Sequence, residues 1–412
     1  MSLASSMYSG VSGLMTYGQA MNVIGDNIAN VNTVGFKGSK SVFADILSHS
    51  VSNGSATLQI GRGSMLQNVN LSFSQGSFET TGNATDMAVQ GTGFFIVNQG
   101  TERYYTRAGQ FTLDSASKLV NPNGLVVQGY QLDTNGVATG SLADIDLSGV
   151  QSQPKASTYF RLGANLNANA SSGTVFQSAV NLYSSLGQLV TLTISFTKQS
   201  GNNWDYSMAA TTSGAASGSV TVTGGTGSLA FSTAGQLTSP TTNPAITING
   251  VSGASPISVT WNLIDSSTGS TYGDMTGYAA NSVTNALTQD GYATGTLKAL
   301  SVDQDGIISG LFSNGQTQNL RQVGLANFSS PWGLTRTGNS LFAESATSGQ
   351  PVLGLARAGG FGSIAGSALE QSNVDLGTEF VTMIQTQRGY QANSRIITTV
   401  DEMLTEAVNL KR

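Results

Sequence analysis

The run Ser372-Asn-Val-Asp-Leu-Gly-Thr-Glu-Phe-Val-Thr-Met-Ile-Gln-Thr-Gln-Arg-Gly-Tyr-Gln-Ala-Asn-Ser-Arg-Ile-Ile-Thr-Thr-Val-Asp-Glu-Met-Leu-Thr-Glu-Ala-Val-Asn-Leu-Lys-Arg412 reads as one long helix. Ser372 or Asn373 can cap its N-terminus, and Asp375 and Glu379 sit where the helix dipole favours acids. Leu376, Phe380, Met383, Tyr390, Ile397, Leu404 and Val408 recur at steps near three and four, an apolar seam at heptad spacing. Gln387, Ser394 and Asp401 interrupt the seam, so it does not read as a strong autonomous zipper. Lys411 and Arg412 place cations at the negative end of the dipole.

The other end of the chain matches it. Met7, Leu14, Met21 and Ile28 fall at strict sevens, and Leu3, Tyr17 and Ile24 lie four residues before three of them. That pattern predicts a coiled-coil-like helix over residues 2–30, roughly 40 Å long. Gly10, Gly13, Gly18 and Gly25 each cost up to ~1 kcal/mol against Ala, so this helix needs neighbours to be stable. Two readings follow: an intramolecular pair with the C-terminal helix, or a seam for self-assembly.

Between the helices everything reads as β-structure. Met87-Ala-Val-Gln-Gly-Thr-Gly-Phe-Phe-Ile-Val97 sets two apolar segments around Gly91 and Gly93, and Arg103 to Leu113 alternates at period two. Asn121-Pro-Asn-Gly124 marks a turn, and Gly310-Leu-Phe-Ser-Asn-Gly-Gln316 a hairpin. From Tyr206 to Ile264 there is not one charged side chain, and Gly, Ser, Thr and Ala dominate, which marks a separate all-β insertion. In the preceding stretch, Val42, Phe43, Ile46 and Leu47 suggest a short amphipathic turn, and Gln59 to Phe73 an extended arm. The expected class is multidomain and mainly β: a split β-domain carrying an inserted all-β domain, flanked by terminal α-helices. The expected boundaries are 1–30 for the first helix, 31–76 for a connecting arm and 77–150 for the first β half. The insertion then takes 151–287, the second β half 288–363 and the C-terminal helix 364–412.

Composition narrows the function. Charged residues make up 9% of the 412 residues, where roughly 25% is ordinary, and Gly is 51. A surface of Ser, Thr, Asn and Gln suits an extracellular or assembled protein. The net charge of −5 offers no basic patch for nucleic acid. There is no Cys, which excludes disulfides and thiolate metal sites. No apolar run approaches the ~18 residues of a membrane span. The first basic residue is Lys37, so no cleavable secretory signal is expected. Enzymatic candidates are sparse: His49, the sole histidine, sits in a Ser-rich stretch without an evident partner. Asp303 and Asp305 resemble a fragment of a Ca²⁺ loop but lack its third ligand and its closing Glu. The sequence thus predicts no enzyme, cofactor or metal. Arg388, in the seam region, has Glu379, Asp401 and Glu402 as candidate neighbours.

Asn27-Ile-Ala-Asn-Val-Asn-Thr-Val-Gly-Phe-Lys37 resembles the N-terminal signature of bacterial flagellar rod and hook axial proteins. Gly91 to Val97, Tyr105-Thr-Arg-Ala-Gly-Gln-Phe111, Ser372-Asn-Val-Asp-Leu376 and Gln387-Arg-Gly-Tyr-Gln-Ala-Asn393 are similar to its later signatures, in the same order. The signature positions are Asn27, Ala29, Asn30, Gly35, Phe36, Lys37, Ser372, Asn373, Val374, Asp375, Gln387, Arg388, Tyr390 and Asn393. Met21-Asn22 and Asp26 depart from the usual pattern, leaving the helix face apolar. The likeness covers about residues 1–135 and 288–412. The insertion, with Asn181-Leu-Tyr-Ser-Ser-Leu-Gly-Gln188, resembles the hook branch rather than the shorter distal rod branch.

The resemblance implies a structural subunit exported through the flagellar type III apparatus. It also implies a homopolymer, a curved hollow tube that passes torque as a universal joint. The helices would form a coiled-coil-like inner domain and the insertion the outer surface. Implied partners are the distal rod, hook cap and hook–filament junction proteins, with no nucleic acid and no membrane insertion. The implied place is the extracellular flagellar hook. The alternatives are a distal rod protein or, in a different class, a β-rich adhesin.

Overall fold

The structure is a computed structural model that describes residues 3–53, 56–133, 136–212, 220–265 and 267–409. The expected cations at Lys411 and Arg412 lie outside these residues. The chain separates into two compact units: one comprises 1–149, 299–310 and 318–412, the other 150–298 and 311–317.

In the first unit, helix α1 (Leu3–Ala29) leads through the turn 30–37 into a long antiparallel hairpin of β1 (Ser39–Asn53) and β2 (Ala56–Leu71). Its register runs from Ser39 opposite Leu71 to Asn53 opposite Ala56, with a bulge between Val42 and Phe43. The expected amphipathic turn at 42–47 and extended arm at 59–73 are therefore the two strands of one hairpin. Each local reading saw loose alternation in half a ladder; the pairing that satisfies the backbone polar groups joins residues far apart in sequence. His49 lies in β1.

After β3 (Phe78–Thr80) and β4 (Met87–Gln90) come β5 (Phe94–Gln99) and β6 (Glu102–Thr106), an antiparallel pair with Phe95 opposite Thr106. Gly91 and Gly93, with φ of +105° and +126°, turn the chain between β4 and β5. Late segments complete this sheet: Leu325–Asn327 pairs with β5, and Leu341–Ala343 pairs with β6. Halves separated by the insertion are thereby stitched into one sheet. Its core closes edge-to-face, with Tyr105 and Phe328 centroids 4.8 Å apart and Phe94 at 6.0 Å from Phe328. The Asn121–Gly124 turn forms as expected: Asn121 Oδ1 accepts from the amides of Asn123 and Leu125, and Gly124 takes φ +78°. Asp303 Oδ1 likewise accepts from the amides of Asp305 and Ile307, closing a strand-to-strand turn.

The second unit is a pair of sheets around one core. Val175–Tyr183, Leu189–Lys198, Asn203–Thr212, Thr226–Phe231 and Leu237–Ser239 form an antiparallel meander, with side chains alternating buried and exposed along the central strands. The other sheet has Tyr159–Asn165 paired parallel to Ile257–Trp261 and antiparallel to Val283–Gln289. Phe160, Phe196, Trp204 and Trp261 fill the space between. Apolar alternation carries this fold where charge is absent.

Two boundaries move. The end expected at 287 cuts the strand Val283–Gln289, which belongs to the inserted unit, as do residues to 298 and the hairpin tip 311–317. The last helix, α2 (Leu376–Asn409), begins well after 364, because Ser363–Gly366 pairs with β4 and Ala368–Glu370 with β3. Asp375, not Ser372 or Asn373, caps α2: its carboxylate accepts from the Thr378 amide at 2.6 Å. Asn373 is occupied elsewhere, as described below.

Candidate assembly surface

The two terminal helices pack on each other, running in opposite directions. Gly10 faces Ile397, Gly13 faces Asn393, Tyr17 faces Gly389, and Asn27 donates to Glu379 at 3.1 Å. The buried stripe of α1 consists of Gly10, Gly13, Thr16, Ala20, Ile24 and Asn27, mostly small residues at steps of three and four. A Cβ added at Gly13 would stand 2.5 Å from the Asn393 carboxamide, and one at Gly389 2.6 Å from the Tyr17 ring. The glycines that weaken the isolated helix thus let the pair approach closely. Thr16 also donates to the Ser64 carbonyl of β2 at 3.0 Å, so α1 is held on the hairpin as well.

The intrachain contact leaves much of the expected heptad seam free. Ile24 is buried, and Leu14, Tyr17, Met21, Ile28, Met383 and Ile397 are half-buried. Met7 is exposed, as are Leu376, Phe380, Tyr390, Leu404 and Val408. Leu3 lies in α1, but its side chain is outside the described set. Tyr8, Met15, Val381, Ile384, Ile396 and Met403 add to the exposed apolar surface, Met15 at 69%. A single chain therefore carries two helices that meet through several small residues and still leave many large apolar side chains exposed.

Below the helices a charged latch ties both chain ends to the sheet. Lys37 Nζ lies 2.7 Å from Glu370 Oε1, and Arg107 Nη1 lies 3.3 Å from Glu370 Oε2; all three side chains are at least nine-tenths buried. Lys37 also donates to the Ser74 carbonyl, Arg107 to the carbonyls of Val89 and Gly91, and the Gly76 amide to Glu370. Burial pushes the ionisation of both Lys37 and Arg107 below their usual ranges, with Glu370 pulling against it.

The signature residues divide accordingly. Gly35, at φ +68°, gives its amide to the Glu370 carbonyl, and a Cβ there would meet the Ala108 amide at 2.5 Å. Phe36 is buried under the Arg336 guanidinium at 4.8 Å. Asn27 bridges Ser39 through both amide atoms. Asn30 donates back to Asp26, and Ala29 ends α1 exposed. Asn373 accepts from the Gly38 amide and donates to the Ser72 and Ser74 carbonyls; Ser372 accepts from the Val374 amide, and Val374 sits against Gly38. These residues join the two ends of the chain, whereas Gln387, Arg388 and Tyr390 stand exposed on α2. Arg107 and Glu370 were not singled out from the sequence; their signal was a charge set among apolar strand residues in a chain with few charges.

Among the described residues no cluster of His, Cys, Asp or Glu could hold a metal ion, and no helix is long and apolar enough to cross a membrane.

Four family models tile most of the chain. They are the flagellar basal body rod protein (7–37), the FlgE/F/G D1 domain of flagellar hook protein (88–178), the FlaE D2 domain of flagellar basal body protein (155–292) and the C-terminal model of the flagellar basal body rod FlgEFG protein (365–410). The flagellar hook protein FlgE of Borreliella burgdorferi is 36% identical over 98% of this chain and 99% of its own length. The chain belongs to the flagellar hook protein family. Other members of that family are similar end to end: Treponema pallidum FlgE at 33% over 99% of each chain, and Escherichia coli FlgE at 32% over 97% of this chain and 98% of its own. The D2 match falls on the inserted unit, the part that separates hook proteins from the shorter rod branch in the sequence reading. The Helicobacter pylori hook protein FlgE2 structure covers 71% of this chain and 100% of its own, with a TM-score of 0.44 at 14% identity.

Proposed function

We propose that the chain is the structural subunit of the flagellar hook, polymerising through its terminal helices into a curved hollow tube that passes torque from rod to filament. One observation carries the reading: the α1–α2 pair meets through small residues and leaves Met7, Phe380, Tyr390, Leu404 and Val408 exposed, an apolar surface that a neighbouring copy would bury. The heptad seam of the sequence is then the surface between copies. In this reading the subunit leaves the cell by the type III apparatus. It grows under the hook cap and joins the distal rod below and the junction proteins above. The inserted unit serves as the outer domain, where the charge-free stretch 206–264 lets contacts slide without breaking desolvated ion pairs.

The test is electron microscopy of the purified full-length chain beside a 70–365 truncation and a Met7→Ala, Leu14→Ala, Met21→Ala variant. Curved tubes are expected from the full-length chain alone. Intact tubes from the truncation or the triple variant would refute assembly through the helices, and a full-length chain that binds sugars as a stable monomer would favour an adhesin.

A further inference from the structure

The methionines of the described residues fall into distinct sets. Met7, Met15, Met65 and Met403 are exposed, Met21 and Met383 are half-buried, and Met87, Met208 and Met275 are buried in the β-structure. Every exposed thioether thus sits on α1, on α2 or on strand β2 of the hairpin that holds α1. All four gather at one end of the helix pair. Gly10 faces Ile397, Gly13 faces Asn393 and Tyr17 faces Gly389, so each step forward on α1 is a step back on α2. By that pairing Met403 stands level with the first turn of α1, roughly 5 Å along the axis from Met7, and Met15 lies about 12 Å beyond Met7 on the other side. Met65 follows Ser64, whose amide donates to Ser12 Oγ and whose carbonyl accepts from Thr16, so it joins the same end. The chain has no Cys, and no thiol competes with these thioethers for an oxidant.

We propose that the four exposed methionines are an oxidation site that controls assembly: hydrogen peroxide converts them to sulfoxides in the free chain and thereby keeps a second copy from covering this end of the helices, whereas assembled copies are shielded. The proposal rests on the assembly reading above. In each event the peroxide O–O bond breaks, one oxygen bonds to the methionine sulfur, and the other leaves as water. The sulfur is oxidised and the peroxide reduced. A sulfoxide is polar, and an apolar neighbour that covers it offers no hydrogen bond in return for its lost water. The thioethers of Met87, Met208 and Met275 are out of reach, so the β-rich cores stay intact and the change is confined to the surface that copies share.

The experiment treats the full-length chain with dilute hydrogen peroxide before or after assembly. Peptide mass spectrometry quantifies each methionine, and sedimentation with microscopy reads assembly. In the free chain the four sites should convert at least about fivefold faster than Met87, Met208 and Met275, and the concentration needed for assembly should rise at least about tenfold. In preformed tubes conversion of the same four should slow at least about fivefold. Methionine sulfoxide reductases should bring the treated chain back to within about twofold of the untreated concentration. A Met7→Leu, Met15→Leu, Met65→Leu, Met403→Leu chain is compared with itself: whatever concentration it needs untreated, peroxide should move it by less than about twofold. Converted wild type that assembles as before, tubes that oxidise as fast as the free chain, or a fourfold variant that peroxide still disables would each overturn the oxidation site and leave helix-driven assembly standing. A treated chain that the reductases cannot restore overturns it as well, because the loss then comes from other damage. That repair is read on the wild-type chain, so it decides even where the fourfold variant fails to fold. An untreated wild-type chain that never assembles overturns both readings.

Discussion

Replacing Glu370 by Gln tests whether the latch holds the chain ends to the sheet. Glu370 is fully buried and faces two cations, Lys37 at 2.7 Å and Arg107 at 3.3 Å. The amide keeps the size of the side chain and can still accept from Gly76, but it removes the only countercharge in the cluster. Breaking a buried pair in this way costs about 3–5 kcal/mol, because a charge is left uncompensated in a dry site. Here two charges are left, which pushes upward. The Ser74, Val89 and Gly91 carbonyls still accept from them, which pushes downward. We therefore expect about 3–4 kcal/mol, a large part of the ~5–15 kcal/mol that stabilises a domain. At roughly 2–4 °C per kcal/mol for a unit of this size, the transition should fall by about 6–16 °C. Calorimetry of the monomer reads the shift; in a Trp332→Phe background, which removes the tryptophan of the first unit, the fluorescence of Trp204 and Trp261 follows the inserted unit, whose melting should stay in place. Exchanging Lys37, Arg107 and Glu370 together for Met should recover much of the loss, since no charge then remains buried. A Glu370→Gln chain that melts within about 1 °C of wild type would show that the carbonyls alone carry the cations, and the argument would fail.

Two further outcomes follow from local geometry. Gly389→Ala puts a methyl against the Tyr17 ring, so the helices must part; a loss of about 1–3 kcal/mol is expected in helix melting by circular dichroism, and an unchanged transition would mean that the pair adjusts without cost. In the inserted unit, burial alone would raise the Asp290 carboxyl. Hydrogen bonds from Thr158, Lys155 and Tyr159 overcome that and bring it to about 2, against 3.8 when unfolded. A depressed carboxyl stabilises above its unfolded value and loses that stabilisation as pH falls through the folded one. The contribution of about 2 kcal/mol should thus vanish between roughly pH 4 and pH 2. Asp290→Asn should lower stability at neutral pH and flatten that window, as denaturant titrations at several pH values would read.

Local chemistry wrote the terminal helices, the β-rich middle and the charge-poor insertion into the sequence. Heptad apolar spacing at Met7, Leu14 and Met21, period-two alternation from Leu189 to Lys198, and Asn-Gly punctuation at 121–124 are short-range signals, and they needed no partner to be read. The signatures around Asn27–Lys37 and Ser372–Asn393 carried the family in the same way. Tertiary structure alone decided which side of each helix meets the other. Gly13 against Asn393 and Gly389 against Tyr17 bury small residues, turning outward the large ones that a heptad reading takes for the contact. It also decided that 39–53 and 56–71 form one hairpin, that Asn373 is taken up by Gly38, Ser72 and Ser74 instead of capping α2, and that Glu370 neutralises Lys37 and Arg107. Each of these depends on contacts between segments that the chain brings together only on folding, and a pattern read along the sequence holds no distance across it.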